Sequence, residues 1–206
     1  MKVLLINGSP KAKGNTRIAL DEMIKIFESE GVETELVHVG NKVVRGCIGC
    51  GKCFKRGQCV FDDIVNEVAP KFKEADGLVV GAPVYYGSPN GTVISFLDRL
   101  FYSTFTQYKF GKVGAGVVIA RRGGTAAAFD VLNKYFAITG MTIATSQYWN
   151  MAYGLKPGDA NPDAEGLQTM RTLARNMTFL MKSIAVGKEQ FGFPEREEWI
   201  PTHFIR

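Results

Sequence analysis

Short apolar runs alternate with amphipathic segments of helical periodicity along the chain, and this alternation restricts the fold more than any other feature. The runs KVLLIN (2–7) and GLVVGAP (77–83) are bounded by turn residues, as strands buried on both faces of a sheet usually are. Between them, residues 32–39 alternate apolar with polar side chains, which is typical of an outer strand. Strands are predicted at 2–7, 32–39, 77–83, 112–120 and 141–149, and helices at 16–30, 62–75, 91–102, 125–140 and 164–187.

A repeated order of strand and then helix predicts one parallel sheet with helices on both of its faces. Because strand–helix–strand crossovers are almost always right-handed, the sheet is doubly wound, and its ligand crevice lies beyond the carboxyl ends of the strands. In the last helix, apolar residues recur at steps of three and four, which favours a face packed on the sheet over a coiled-coil seam. The loops that follow the strands are therefore where a functional site is expected.

The composition narrows the class of protein further. With 206 residues, 46% hydrophobic and 22% charged, the chain has the size and balance of one globular domain. Its net charge of +5 is spread along the sequence, which suits anionic ligands and argues against nucleic-acid binding. The first apolar run is too short for a secretory signal, and no run approaches the roughly 20 residues of a membrane helix. We therefore expect a soluble, cytoplasmic protein that binds neither nucleic acid nor membrane.

The loop after the first strand, NGSPKAKGNTR (7–17), has the composition of an anion site. Gly8 and Gly14 allow close approach of the backbone, polar side chains surround them, and the next helix begins with unpaired N–H groups. The loop lacks the G-x-x-x-x-G-K-[ST] spacing of a nucleoside triphosphate site and the G-x-G-x-x-G of a dinucleotide site. It favours a single terminal phosphate, and a plain turn is the alternative.

Two further loops are predicted at the same edge of the sheet. The loop APVYYGSPNGT (82–92) is stiffened by prolines and carries Tyr85 and Tyr86, which suit a planar ring. The loop ARRGGTAA (120–127) offers backbone donors at the start of a helix. In isolation, each of the two is also compatible with an ordinary turn. Together, a phosphate loop, an aromatic loop and a donor-rich loop describe a site for flavin mononucleotide (FMN).

Over roughly residues 1–150, the sequence resembles the NADPH-dependent FMN reductase family, whose fold is flavodoxin-like. The resemblance rests on GSPKAKGNT (8–16), on ADGLVVGAPVYYGSPNGTVISFLDR (75–99) and on a cysteine-containing loop that ends in CVFDD (59–63). It implies a five-stranded parallel sheet in the order 2-1-3-4-5. It also implies FMN as cofactor, NAD(P)H as electron donor, and a homodimer or homotetramer.

The cofactor-binding residues that the resemblance implies fall in the three loops. They are Ser9, Lys11, Asn15 and Thr16 at the phosphate, Pro83, Val84, Tyr85, Tyr86 and Gly87 along the ring, and Gly123, Gly124 and Thr125 at its polar edge. Lys11 stands where many relatives have arginine, so it attracts a phosphate but lacks the two-point grip of a guanidinium. No side chain is expected to act as an acid or a base, because the flavin carries the chemistry.

The four cysteines of the chain all lie in one short loop, with the spacing C-x2-C-x2-C-x5-C: Cys47, Cys50, Cys53 and Cys59. Zinc sites usually join two C-x2-C turns across roughly a dozen or more residues. The bacterial ferredoxin run instead begins with the same two x2 steps and holds a four-iron cluster. Nearby lysines and arginines favour thiolates or an anionic cluster. From the residues alone, a [4Fe–4S] cluster, a zinc ion, idle thiols and a disulfide all stay open.

The cysteine loop also resembles that of the iron–sulfur flavoproteins, a branch of the same family, which implies electron transfer between a [4Fe–4S] cluster and FMN. We expect an FMN-dependent NAD(P)H oxidoreductase that reduces quinone, nitro or azo compounds, or that passes electrons through the cluster to a redox protein. A non-enzymatic electron carrier and a flavin-free scaffold are the alternatives. The predicted domain covers residues 1–187, with the cysteine loop at 46–60. Residues 188–206 are predicted to form an arm over a partner subunit or a substrate opening, or a local satellite core.

Overall fold

The computed structural model describes residues 1–105, 108–198 and 200–204. Strands and helices alternate in it as the sequence predicts. The strands are β1 (Lys2–Asn7), β2 (Glu33–His38), β3 (Gly77–Tyr85), β4 (Ser88–Pro89), β5 (Val113–Ala120), β6 (Thr142–Ile143) and β7 (Met151–Tyr153). The helices are α1 (Asn15–Ser29), α2 (Cys53–Arg56), α3 (Ile64–Glu74), α4 (Gly91–Ser103), α5 (Thr125–Ile138) and α6 (Ala164–Phe191).

The sheet has the order β2-β1-β3-β5-β6, which confirms the predicted flavodoxin-like, doubly wound arrangement. The pairs along this order are parallel. The described residues form seven strands rather than the five predicted. One addition is β4, which folds back antiparallel on β3. The other is at the edge, where only residues 142–143 of the strand predicted at 141–149 form β6, and β7 lies beyond its predicted end; both pair with β5.

The edge strand that the sequence predicts at 141–149 is interrupted by a bulge. β6 pairs with the start of β5 and β7 pairs with its end, so residues 115–117 of β5 face the longer segment 144–150. The surplus residues leave the sheet. Within them, Ser146 Oγ contacts Tyr148 O (2.5 Å), and Gln147 Nε2 donates to Thr169 Oγ1 of α6 (3.4 Å). We refer to residues 144–150 as the edge bulge.

The core lies on both faces of the sheet, as a doubly wound fold requires. On one face α3, α4 and α5 contribute large buried side chains, among them Phe72, Phe96 and Phe136. On the other face α1 and α6 do the same, with Phe27 and Met177. The apolar stripe of α6 therefore packs on the sheet, as predicted. Within the described residues, no helix combines the length and apolar character that a membrane crossing needs.

Helix α6 continues to Phe191, beyond its predicted end at residue 187. After it, Phe193 packs edge-to-face on Phe110 with ring centroids 5.2 Å apart, which is a local contact with the body of the domain. Residues 199, 205 and 206 of the predicted C-terminal arm lie outside the described residues. The division at 187/188 and the role of the arm stay predictions.

Candidate functional site

The loop between β1 and α1, predicted to hold a phosphate, is fixed by hydrogen bonds around Ser9. Ser9 N donates to Asn7 Oδ1 (3.1 Å), and Ser9 Oγ accepts from Lys11 N (3.2 Å). His38 Nε2 donates to Ser9 O (2.7 Å), and because a carbonyl only accepts, this bond places a proton on Nε2. Since Ser9 Oγ accepts from the backbone, its own proton is available to a ligand.

Helix α1 begins beside this loop, and among the described residues no side chain caps it. Its N-cap residue is Gly14, and the first hydrogen bonds run from Arg17 N (3.0 Å) and Ile18 N (3.2 Å) to Gly14 O. The N–H groups of Asn15 and Thr16 precede these bonds, so the helix itself does not satisfy them. An anion at this point meets two donors and the positive end of the helix dipole.

The side chain of Asn15 is engaged by a fourth loop, which the sequence did not predict as part of the site. Asn15 Nδ2 donates to Lys156 O (2.9 Å), and Asn15 Oδ1 accepts from Gly158 N (3.1 Å) and Ala160 N (3.2 Å). A phosphate role for Asn15 is therefore left to its backbone N–H. Its amide instead fixes residues 153–163 beside the phosphate loop.

The loop predicted to border a planar ring forms a tight hairpin between β3 and β4. Tyr85 pairs with Ser88, and the turn residues Tyr86 and Gly87 have φ values of 50° and 76°. Two successive positive φ values are typical of a type I′ turn, and they are uncommon for a tyrosine. Both Tyr85 and Tyr86 are exposed, so their rings are available to a planar ligand.

The hairpin contacts the third predicted loop directly. A Cβ atom on Gly124 would lie only 2.9 Å from Gly87 Cα, so the two backbones approach too closely for a side chain at position 124. At the next residue, Thr125 Oγ1 lies 3.5 Å from the hydroxyl of Tyr153. Through Tyr153 and the loop that follows it, the three predicted loops and residues 153–163 form one continuous wall. We call this set the loop wall.

The predicted cofactor-binding residues differ in burial along the loop wall. Ser9, Asn15, Thr16 and Thr125 are buried, Pro83, Val84 and Gly87 are partly buried, and Lys11, Tyr85, Tyr86, Gly123 and Gly124 are exposed. The buried members include the hydroxyl groups of Ser9, Thr16 and Thr125, while Lys11, Gly123 and Gly124, which are also assigned to polar groups of the cofactor, are exposed. The exposed tyrosines would meet the ring. Tyr153 belongs to the same wall, and its position beyond the interrupted edge strand gave no signal in the sequence.

All four cysteines line one pocket between their loop and α4. Cys53 is buried at the start of α2, Cys59 is partly buried, and Cys47 and Cys50 are exposed, all as free thiols. The pocket has a volume of about 20 Å³, which is room for about one water. Among the described residues, no three His, Cys, Asp or Glu side chains are placed to share one metal ion. Four cysteine thiols are the usual donor set of a zinc ion or an iron–sulfur cluster.

Arg99 of α4 lies beneath this pocket and is 1% exposed. Its Nε donates to Cys59 Sγ (3.3 Å), while its two terminal nitrogens donate to Asp63 Oδ2 (2.6 Å) and Oδ1 (2.9 Å). The remaining N–H groups meet Arg45 O (3.4 Å) and Phe61 O (3.1 Å), so all five guanidinium donors have acceptors. One side chain therefore joins both ends of the cysteine loop.

The sequence did not connect Arg99 to the cysteines. A signal was present, because Arg99 falls in the apolar stripe of α4 between Phe96 and Leu100, which are both buried. A charged residue in such a stripe needs a buried partner. The partners of Arg99 lie in residues 59–63, which are distant from α4 in the sequence. The sequence of α4 alone therefore does not identify them.

Burial raises the pKa of the Cys53 thiol; nearby backbone N–H groups lower it by less, and the neighbouring Cys50 and Cys59 add a further, smaller rise. Cys53 is therefore held as a thiol. Because metals bind the thiolate, a metal at this site must displace that proton.

Solved structures with the same fold define the class of protein. RosB, solved with a bound 8-demethyl-8-formylriboflavin-5′-phosphate intermediate, aligns with a TM-score of 0.68 at 18% identity, over 100% of this chain and 94% of that one. A flavodoxin from the domain Archaea aligns with a TM-score of 0.60 at 17% identity, over 88% of this chain and 99% of that one. The chain is a flavodoxin-like α/β protein.

Sequence comparison identifies the family within that class. The pattern of the NADPH-dependent FMN reductase family matches residues 1–156. An iron–sulfur flavoprotein of Methanocaldococcus jannaschii is 34% identical over 191 residues, which cover 89% of this chain and 99% of that protein. The chain belongs to the NADPH-dependent FMN reductase family and is a flavin-dependent oxidoreductase.

Proposed function

We propose that this protein is an NAD(P)H-dependent FMN oxidoreductase that reduces quinone, nitro or azo compounds, or that passes electrons through a [4Fe–4S] cluster to a redox protein. The observation that carries the proposal is the loop wall, which joins the uncapped start of α1, the tyrosine hairpin and the start of α5 in one surface. Bound FMN supplies the redox chemistry, taking up electrons from NAD(P)H and releasing them to an acceptor.

The phosphate of FMN would be held at the start of α1. The backbone N–H groups of Asn15 and Thr16 and the hydroxyl of Ser9 are short-range donors there, while the exposed Lys11 adds positive charge from the surface. Because the Asn15 amide fixes residues 153–163, the phosphate contacts and the far end of the loop wall are built as one unit.

The flavin ring would lie along the tyrosine hairpin. Tyr85 and Tyr86 present exposed rings, and the close contact between Gly87 and Gly124 sets the distance from the hairpin to the start of α5. There the backbone N–H groups at residues 123–125 and the Thr125 hydroxyl are donors for the polar edge of the ring. These residues orient the cofactor and exclude water from one side of it.

The four cysteines would ligate the cluster, with Arg99 as the charged group beside Cys59. A hydrogen bond from a cation to a ligating sulfur stabilises the thiolate and raises the potential of the cluster. Support for iron comes from the relatives named iron–sulfur flavoproteins, which include a Methanosarcina thermophila protein 27% identical over 193 residues. The match to this chain covers 100% of that protein's length.

A homodimer or homotetramer in the cytoplasm is part of the proposal. Support for assembly comes from α6, where Phe179 is 70% exposed and Phe191 is 85% exposed, so contact with a second copy would bury two large apolar side chains. Light scattering on the purified protein gives the mass directly. A monomer at micromolar concentration would contradict this part of the proposal.

Purification without oxygen tests the function. We expect FMN, and iron with sulfide in a four-iron ratio, and we expect NADH or NADPH to bleach the flavin absorbance until an acceptor is added. A Cys47→Ser variant should lose iron and keep FMN, since the loop wall does not include the cysteine loop. Zinc in place of iron would contradict the cluster. Bound FMN with no oxidation of either nucleotide would favour a non-enzymatic electron carrier.

A further inference from the structure

The end of β2 is attached to the phosphate loop between β1 and α1. His38 is the last residue of β2 and lies beside Asn7 in the register of β1 and β2. Beyond it, Val39 N (3.0 Å) and Gly40 N (3.2 Å) both donate to Asn7 O. The chain that leaves β2 therefore follows the end of β1 to the point where the phosphate loop begins.

This segment lies directly against the backbone of Ser9. A Cβ atom on Gly40 would lie 2.2 Å from both the carbonyl carbon and the carbonyl oxygen of Ser9, so the approach requires a glycine. His38 Nε2 donates to the same oxygen across 2.7 Å. Because Ser9 is also only 6% exposed, its carbonyl is enclosed by the end of β2 and the residues that follow it.

The peptide group between Ser9 and Pro10 depends on this bond for its orientation. Proline has no N–H, so the carbonyl of Ser9 is the one hydrogen-bonding group that this peptide has. The side chain of Asn7 holds other parts of the loop, since it accepts from Ser9 N (3.1 Å) and donates to Ala12 O (3.2 Å). The carbonyl of Ser9 is held by His38 instead.

The hydroxyl of Ser9 lies on the side of α1 rather than that of β2. A Cβ atom on Gly14, the N-cap residue of α1, would lie 3.5 Å from Ser9 Oγ. The bond from Lys11 N to Ser9 Oγ fixes the hydroxyl in this place. A carbonyl oxygen repels an anion, whereas a hydroxyl and N–H groups attract it. A backbone that keeps the Ser9 carbonyl at β2 and the Ser9 hydroxyl at α1 is therefore the one that suits a phosphate.

We propose that His38 is a positioning residue for the phosphate of the flavin. Its Nε2–H holds the Ser9 carbonyl on the side of β2, so that the Ser9 hydroxyl and the N–H groups at the start of α1 meet in one site. His38 acts through Ser9 and is not itself a ligand of the phosphate. The inference rests on the proposed function, because it takes the phosphate of FMN to bind at the start of α1. Donors that are already in place bind an anion without the cost of ordering the loop.

Titration of full-length, flavin-free protein with FMN and with riboflavin separates the phosphate contacts from the ring contacts. His38→Phe keeps a planar ring and removes the donor. We expect it to bind FMN about tenfold more weakly and riboflavin as before, the effect of one lost hydrogen bond. His38→Gln carries an amide N–H at a similar reach and should recover most of the affinity for FMN.

Thr34→Val is the matched control. Thr34 lies on the same strand, and its hydroxyl donates to Glu28 of α1 (3.3 Å) rather than to the phosphate loop, so both affinities should stay unchanged. Riboflavin binding also reports that each variant is folded. If the parent prefers FMN and His38→Phe keeps the full preference, the role of His38 is overturned and the proposed function stands. Equal binding of FMN and riboflavin by the parent would overturn both.

Nitrogen-15 NMR of the FMN-loaded protein tests the bond without removing it. The sequence contains two histidines, so a His203→Gln variant leaves His38 as the sole imidazole. At a pH where the ring is neutral, we expect its proton on Nε2, in slow exchange with water, because Ser9 O accepts it. A neutral ring with its proton on Nδ1 would show that the bond to Ser9 is absent, and it would overturn the inference even if His38→Phe did not fold.

Discussion

Arg99 Nε donates a hydrogen bond to Cys59 Sγ across 3.3 Å while the same guanidinium forms a two-point ion pair with Asp63. Both contacts are made from a side chain that is 1% exposed. Because a buried charge is costly without partners, the position of Cys59 is coupled to the ion pair that closes the cysteine loop. The fold thus supplies a fixed positive charge at one corner of the four-cysteine pocket.

Arg99→Lys keeps the charge but loses the fork that reaches Cys59 and Asp63 together. We expect the free energy of unfolding to fall by about 3 kcal/mol, as when a buried pair is broken. We also expect faster alkylation of Cys59 in metal-free protein. Denaturant titration and mass spectrometry measure the two effects. Arg175→Lys, at an exposed position on α6, is the matched control, and equal stability of the two variants would contradict the role of Arg99.

The thiols of metal-free protein should react with iodoacetamide in a fixed order. Cys47 and Cys50 are exposed and should be modified first, and Cys53 should be last, because burial both covers its sulfur and raises its pKa. Peptide mapping at neutral pH over time follows each site. In denaturant the differences should vanish. Modification of Cys53 as fast as Cys47 in the folded protein would show that the loop is not closed.

Substitutions of Tyr86 should separate the strain of the hairpin from its contact with the flavin. Tyr86 has a φ of 50°, which glycine adopts without strain. Tyr86→Gly should therefore leave the free energy of unfolding unchanged or raise it by up to about 1 kcal/mol. Tyr86→Val, which is β-branched, should lower it by about 1–2 kcal/mol. Both should weaken FMN binding, because both remove the ring. Stability that does not distinguish the two variants would contradict the assigned turn, and unchanged FMN affinity would remove Tyr86 from the site.

Lys109 should make stability depend on pH in the alkaline range. Its Nζ donates to Phe101 O (2.9 Å) and Thr104 Oγ1 (3.2 Å), and burial lowers its pKa from 10.5 to about 8. Between pH 8 and 10.5 the unfolded chain binds the proton that the folded chain has lost, so the contribution of Lys109 to stability rises with pH across this window. Below pH 8 both states hold the proton, and the contribution is constant.

The comparison with Lys109→Met isolates this effect, since methionine has similar length and no charge. From pH 8 to 10.5, the free energy of unfolding of the parent protein should increase relative to that of the variant. Lys134→Met, at an exposed position on α5, should track the parent. A difference between parent and Lys109→Met that does not change with pH would show that Lys109 titrates at its ordinary pKa.

The central strands could be predicted because their signal is local, whereas their order followed from the resemblance to the flavodoxin-like family. The run at residues 2–7 is apolar throughout and bounded by turn residues, and β1 has the predicted limits. The edge strand was harder to predict, because it pairs with the sheet on one side only. Its second segment lies at residues 151–153, because inside the edge bulge the chain leaves the sheet and Gln147 bonds to Thr169 of α6.

The candidate site also contains parts that the sequence predicted and parts that it did not. The phosphate loop, the hairpin and the start of α5 follow strands whose ends were predicted, so the sequence placed them at one edge. The engagement of the Asn15 amide by residues 156–160 and of Arg99 by Cys59 and Asp63 depends on contacts between distant parts of the chain. Residue type indicated a polar role at both positions, and only the packed structure assigned the partners.

Titration of flavin-free protein with FMN and with riboflavin tests the central claim most directly, because the two ligands differ only in the phosphate. If the start of α1 and Ser9 hold that phosphate, FMN should bind one per chain and at least about 100-fold more tightly than riboflavin, the effect of two charge-assisted hydrogen bonds. Equal affinity for the two ligands, or no binding of FMN, would contradict the account.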